Sequence, residues 1–235
     1  MCGRYSAAGK LSELAKFVDF VIRAPSQVPR YNIAPRQSAP VIVSESGRAV
    51  LKSLRWGLIP AWAEDEKIGD QLINARSESV FTKPAFRSAL RERRCLVPAD
   101  GFYEWQRKGG EPQPFRFTRP DGAYFCFAGI WERWQRPPIT GELDFGEPLD
   151  SRPVELETFS ILTTTANAVV APVHDRMPVI LPPHQYAAWL DHQTFAPDRL
   201  QSLFQPYPPG EIQAGRVSTL VNNARHDSPD CLRPG

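Results

Sequence analysis

Four prolines fall within the twenty residues 24–43, APSQVPRYNIAPRQSAPVIV, and they constrain the backbone more than any other feature of the chain. Each proline locks its own φ, lacks an N–H donor and pushes the preceding residue out of the helical region. That stretch must run extended, and it feeds the apolar VIV as a strand. The pattern to about residue 130 continues as short strands. RCLVPADGFYEW and QPFRFTRPDGAYFCFAGIWE are dense in β-branched and aromatic residues, and RPDGA is a turn signal that predicts an antiparallel hairpin between two alternating runs.

Elsewhere the periodicity changes. Residues 10–23, KLSELAKFVDFVIR, place Leu11, Leu14, Phe17, Val18, Val21 and Ile22 at helical spacing, which predicts an amphipathic helix. TFSILTTT reads as a strand. PPHQYAAWLDHQ and APDRLQSLFQ read as two short helices, the first with proline at its start. The tail VSTLVNNARHDSPD reads as strand and then loop. Residues 135–157, rich in Pro, Gly and acidic residues, read as a surface loop rather than a domain boundary. With no internal repeat, the expectation is an α+β chain of a single domain, 1–235, built around antiparallel sheet.

Composition narrows the function classes. A chain that is 42% hydrophobic and 23% charged can bury a core, and it holds no apolar run of about 18 residues and no secretory leader pattern. A soluble, intracellular, cytoplasmic protein is expected, with no membrane partner. The four cysteines form no C-x-x-C pair, so neither a metal centre nor a disulfide framework is expected. Cys95 and Cys126 lie in apolar strands and read as core residues. A formal charge of +2 is too small to announce nucleic-acid binding, so an anionic partner must be held by a local patch.

Cys2 is the residue with the most distinctive chemistry. With Met1 removed it carries an α-amine, of ordinary pKa roughly 7.7–8.0, beside a thiol. About a tenth of that amine is neutral at pH 7, against a few parts in ten thousand for lysine. The amine attacks an aldehyde, and the thiol closes on the resulting imine carbon as a five-membered thiazolidine. A small residue at position 2 also favours loss of Met1, by a processing enzyme or by attack of the Cys2 thiol on the preceding peptide.

Other candidates follow from pattern. Alternation in GFYEW sets Phe102, Glu104 and Gln106 on one face and Tyr103 and Trp105 on the other. Aromatic surroundings would raise the Glu104 carboxyl toward the range of a general acid; the alternative is an edge glutamate facing water. LINARSES puts Asn74 and Arg76 on one side of a strand, an amide able to orient a reacting group and a guanidinium able to grip a phosphate, or else a capping Asn with a solvated Arg. In APVHDRMPVIL, His174 and Arg176 sit in a segment too rigid for helix; His174 reads as a proton shuttle or as a structural histidine. His184 and His192 read as solvated, and His226 lies in the tail. Arg4, Arg76 and Arg176 each stand beside a candidate position, and three phosphate contacts correspond to a salt slope of roughly 2 to 3. Trp105 and Trp62 offer faces on which unpaired bases stack, or simply pack the core.

Together MCGRY, YNIAP, RWGLIPAW, LINARSES, RRCLVPADGFYEW, FAGIW, ILTTTAN, VHDRMPVIL and NNARHDSPDCL resemble the SOS response-associated peptidase (SRAP) family, the abasic-site processing proteins. The resemblance runs from Cys2 to about Cys231. It implies mainly antiparallel sheets in a barrel-like core with short flanking helices, no cofactor and no metal. It implies covalent capture of abasic sites in single-stranded DNA, with Cys2 as nucleophile, Asn74 orienting it, Glu104 as acid and base, and His174 assisting opening of the sugar. Arg4, Arg76, Thr163 and Arg176 fall where DNA backbone contacts are expected, and Trp105 near the strand's path. Autocatalytic release of Met1, reversal of the link through Glu104, a monomeric state, nucleoid association when bound to DNA and unidentified replication-associated partners are expected with it. The 135–157 stretch carries no motif of the family.

Two rival readings use the same residues: a cysteine hydrolase built from Cys2, His174 and Asn74, and a non-enzymatic single-stranded DNA binding module built from the arginines and tryptophans.

Overall fold

The computed structural model describes residues 2–23, 28–107, 110–136 and 155–235. Its strands are β1 (Tyr5–Ala7), β2 (Phe20–Ile22), β3 (Arg30–Ile33), β4 (Ser38–Glu45), β5 (Arg48–Trp56), β6 (Asn74–Arg76) and β7 (Arg94–Ala99). These are followed by β8 (Gly101–Gln106), β9 (Gln113–Thr118), β10 (Phe125–Gln135), β11 (Glu155–Thr165), β12 (Arg176–Pro178), β13 (Ile180–Leu181) and β14 (Gln213–Arg216). The described α-helices are short: α1 (Arg87–Glu92), α2 (Tyr186–Leu190) and α3 (Pro197–Ser202).

Five strands close on themselves. β4 pairs with β5, β5 with β11, β11 with β10, β10 with β7, and β7 returns to β4. All these pairings are antiparallel except β5 with β11, so the expected barrel-like, mainly antiparallel architecture is what forms. A second sheet, in the order β14-β9-β8-β1-β3, packs against it. Tyr5 of β1 joins the two, with its ring 5.2 Å from Trp56 and 5.7 Å from Phe127. One apolar cluster therefore contains residues of both sheets, Cys95 and Cys126 among them as expected.

Buried polar groups tie the periphery to this core. Arg94 is fully buried, and its guanidinium donates to the carbonyls of Leu90, Arg91, Trp189 and Asp191 at the C-terminal ends of α1 and α2. Gly57 ends β5 at φ +122°, and a Cβ there would lie 2.7 Å from the Gly69 carbonyl oxygen. That close approach lets the following loop return so that Trp56 Nε1 donates to Ile73 O at 2.9 Å, immediately before β6.

Four local expectations need correction. Residues 10–23 do not form one helix: Leu11–Lys16 is a single 3₁₀ segment, and Phe20–Ile22 pairs in parallel with Ala49–Leu51 of β5. Only Leu11 and Leu14 of the apolar series are buried, while Val21 and Ile22 remain 51% and 58% exposed, so the helical spacing matched no single apolar surface. RPDGA does turn, with Asp121 accepting from the Ala123 N–H at 3.0 Å, but it passes the chain from one sheet to the other. The hairpin partner of β9 is β8, where Phe102 stacks on Phe117 at 4.9 Å. In the tail the strand comes earlier, at Gln213–Arg216, and Thr219–Asn222 is a 3₁₀ turn capped by the Ser218 hydroxyl. His192 is not solvated; both ring nitrogens are buried and burial pushes its pKa down to about 4.

The two late helices stand where the sequence puts them, Pro183 opening the 3₁₀ turn before α2. Of residues 135–157, Gln135 belongs to β10 and Glu155–Glu157 to β11; residues 137–154 lie outside the described residues.

Candidate functional site

The site begins where β1 runs antiparallel to β8. Tyr5 stands opposite Phe102, and the Tyr103 N–H donates to Arg4 O at 2.9 Å. Continuing this register brings Cys2 alongside the end of β8 that carries Glu104 and Trp105. β6 reaches the same place by a different route, through parallel pairing of Asn74 with Ile161 of β11. There Asn74 Nδ2 donates to the Cys2 carbonyl oxygen at 2.9 Å, and Asn74 Oδ1 is buried with no hydrogen-bond partner among the described residues. Two sheets thus converge on one residue near the start of the chain.

Cys2 is fully buried. Burial raises its thiol pKa, and the neighbouring Glu104 charge raises it further. Glu104 is itself only 3% exposed, and desolvation lifts its carboxyl to about 7. The alternation read from the sequence holds: Phe102 points into the main core, whereas Tyr103 and Trp105 belong to a separate cluster with Val217, Val221 and Cys231.

Glu104 opens into a cavity of about 870 Å³, whose walls include Arg4, Trp105, Arg107, His174 and Asn222. His174 Nδ1 accepts the Arg176 backbone N–H at 2.9 Å, which places the proton of the neutral ring on Nε2. The exposed Asp175 carboxylate lies 2.9 Å from the same Nδ1 and favours the imidazolium, but burial outweighs it and the pKa is lowered.

The arginines are unequal. Arg4 donates through one nitrogen to Asn32 Oδ1 and Val221 O, each at 2.8 Å, and lies 5.7 Å from the Trp105 ring centre. Arg176 is paired with Glu78 and donates to Thr163 O at 2.6 Å. Arg76 is exposed and stands in register with Thr163, so β6, β11 and β12 bring Arg76, Thr163 and Arg176 together beside the cavity's His174 wall. Trp105 Nε1 donates to Asn222 Oδ1 at 2.6 Å. Trp62 is 61% exposed and does not line this cavity.

Several contributors escaped the sequence reading. Asn32, fully buried in YNIAP, donates through Nδ2 to the carbonyls of Val221, Asn223 and His226, fastening the tail under Arg4. Asp227 Oδ1 caps the backbone N–H groups of Tyr31 and Asn32. Both blocks were legible as motifs, but no spacing reveals partners nearly 190 residues apart. Arg107 carried no local signal, and Asn222 only its place at the head of NNARHDSPDCL.

Among the described residues no three His, Cys, Asp or Glu side chains cluster in a way that could hold a metal ion. No helix among them is long and apolar enough to cross a membrane.

Known proteins resemble this chain along its length. A family profile described as SOS response associated peptidase (SRAP) matches residues 1–224. The abasic site processing protein YoqW of Bacillus subtilis is 39% identical over 99% of both chains. YoaM of the same organism, also named an abasic site processing protein, is 40% identical over 99% of this chain and 97% of its own. A crystal structure of a protein from Bacteroides thetaiotaomicron superposes with a TM-score of 0.83 at 25% identity, covering all of both chains.

Proposed function

This chain belongs to the SOS response associated peptidase family, and on that premise we propose that it processes abasic sites in single-stranded DNA by covalent capture through Cys2. The observation that carries the reading is the convergence on Cys2 of Asn74, held 2.9 Å from its carbonyl, and of the buried Glu104 carboxyl.

Loss of Met1 turns the Cys2 amide nitrogen into an α-amine. The unpartnered Asn74 Oδ1 is the acceptor for it, while Asn74 Nδ2 keeps the carbonyl fixed. His174 Nε2–H hydrogen-bonds to the sugar ring oxygen while the proton of the C1′ hydroxyl passes through solvent to that oxygen, the C1′–O4′ bond breaks and the C1′ aldehyde is exposed. The amine adds to that carbon, giving a carbinolamine. Glu104, about half protonated near pH 7, gives its proton to the hydroxyl, which leaves as water. The Cys2 thiol then adds across the imine, its proton passing to nitrogen, and a thiazolidine closes. In the reverse direction the Glu104 carboxylate takes part in opening the link. Autocatalytic release of Met1 is part of the proposal, as are the monomeric state and the DNA contacts of Arg4, Arg76, Trp105, Thr163 and Arg176.

The hydrolase reading is less well supported, because burial and Glu104 raise the thiol pKa, opposite to what a thiolate nucleophile needs. Intact-mass spectrometry before and after incubation with an abasic oligonucleotide tests the proposal. Loss of Met1 followed by a gain equal to the oligonucleotide minus one water is expected. A protein with a blocked amine that crosslinks at the normal rate overturns it.

A further inference from the structure

Of the three arginines singled out by the sequence, only Arg4 lines the cavity; its Nη1 is held by the neutral oxygens of Asn32 and Val221, which fix its position and leave its charge uncompensated, while Arg176 is paired with Glu78 and Arg76 lies outside the cavity. Arg107 differs from all three. It lines the cavity with Glu104, Trp105 and His174, it is exposed, and it has no hydrogen bond or ion pair among the described residues. It directly follows β8, so ~10 Å of extended backbone separates it from Glu104. The strand end that bears it is anchored, since Gln106 Nε2 donates to Pro172 O at 3.2 Å.

A fixed backbone carrying a free planar cation beside an aromatic face suits a phosphodiester whose neighbouring base stacks. Pro112 and Pro172 form further apolar walls of the same cavity and do not compete for the guanidinium. We propose that Arg107 is a substrate-contacting residue that binds a phosphate flanking the abasic sugar and sets the register of the strand against Glu104. This rests on the reading of single-stranded DNA as substrate, and it adds Arg107 to the proposed backbone contacts as the exposed cation of the cavity wall.

The test uses the full chain and two oligonucleotides. Equilibrium binding to a tetrahydrofuran-containing strand, which has no aldehyde, is measured across a salt series. Arg107→Gln is expected to lower the slope of log K against log salt by about 0.7, the value of one single-strand phosphate contact. Arg107→Lys should keep the slope, and Arg87→Gln, an equal charge change on α1 outside the cavity, should leave it unchanged. With a true abasic strand, Arg107→Gln should raise the DNA concentration needed for half-maximal crosslinking, and the yield should recover at saturating DNA. An unchanged slope in Arg107→Gln, or an equal drop in Arg87→Gln, overturns the assignment. Absence of any crosslink in the wild-type protein overturns the proposed chemistry instead, while the slope still reports on Arg107.

Discussion

The Asn74 amide donates to the Cys2 carbonyl at 2.9 Å and keeps its own carbonyl oxygen unpartnered among the described residues in a buried position. An isolated buried acceptor is costly, and in the proposed chemistry this one receives the α-amine that loss of Met1 gives to Cys2. Asn74→Asp keeps the acceptor and loses the tether; Asn74→Ala loses both. Crosslinking to an abasic oligonucleotide, followed on denaturing gels, should slow by about tenfold in the first and by about a hundredfold in the second. Equal rates for both variants and wild type would remove Asn74 from the chemistry.

The Glu104 carboxyl, lifted from 4.5 to about 7 by burial, makes two linked predictions. The proposed crosslinking uses its acid form and the neutral amine, so the rate should peak between about pH 7 and 8 and fall on the alkaline side. Glu104→Gln should lower the rate by roughly a hundredfold and erase the alkaline limb. The folded state holds a proton that the unfolded chain gives up above pH 4.5, so the fold loses stability as pH rises from 4.5 through 7. Glu104→Gln should therefore raise the melting temperature at pH 8 and leave it unchanged at pH 4, with a gain bounded by about 3 kcal/mol.

His192 works in the opposite sense. Its ring nitrogens are buried without hydrogen-bond partners among the described residues, and its pKa is pushed down to about 4 from 6.5. The unfolded chain takes up a proton at this residue below pH 6.5 and the folded chain does not until about 4, so stability falls through that window. His192→Gln should flatten the melting temperature between pH 6.5 and 4.5 relative to wild type. Persistence of the full slope in the variant would assign the acid sensitivity to other groups.

How legible this molecule is in its sequence depends on the range of the interactions involved. The β-rich core follows from local chemistry: β-branched and aromatic residues in ILTTT or FCFAGIW pack wherever a pleated face is buried, so strand identity needs no partner. Partner choice does need one. The turn at Asp121 is encoded locally, yet which strand β9 joins is decided by Phe102 against Phe117. The same distinction divides the site. Cys2, Glu104, Asn74 and His174 stand out by residue type and alternation, and the structure brings Asn74 to Cys2, with Glu104 close enough for its charge to act on the thiol. Asn32 and Asn222 act through contacts with the tail or with β8, and although both lie in motif blocks, nothing local names those partners.

The contact between Trp105 and Asn222 gives the last prediction. The indole N–H donates to Asn222 Oδ1 at 2.6 Å, and the Arg4 guanidinium lies 5.7 Å from the ring centre, so the ring is held from the tail side and from β1. If that fixed plane is what a base stacks on, removing the acceptor should cost binding only while the indole N–H exists. Asn222→Ala should weaken binding of a tetrahydrofuran-containing strand by about threefold to tenfold, within the range of one net hydrogen bond. In a Trp105→Phe background the same substitution should cost nearly nothing, since phenylalanine has no N–H to orient. A double-mutant cycle measured by fluorescence anisotropy should thus return a coupling of about 1 kcal/mol. Additive losses would show that Asn222 and Trp105 act on the strand independently.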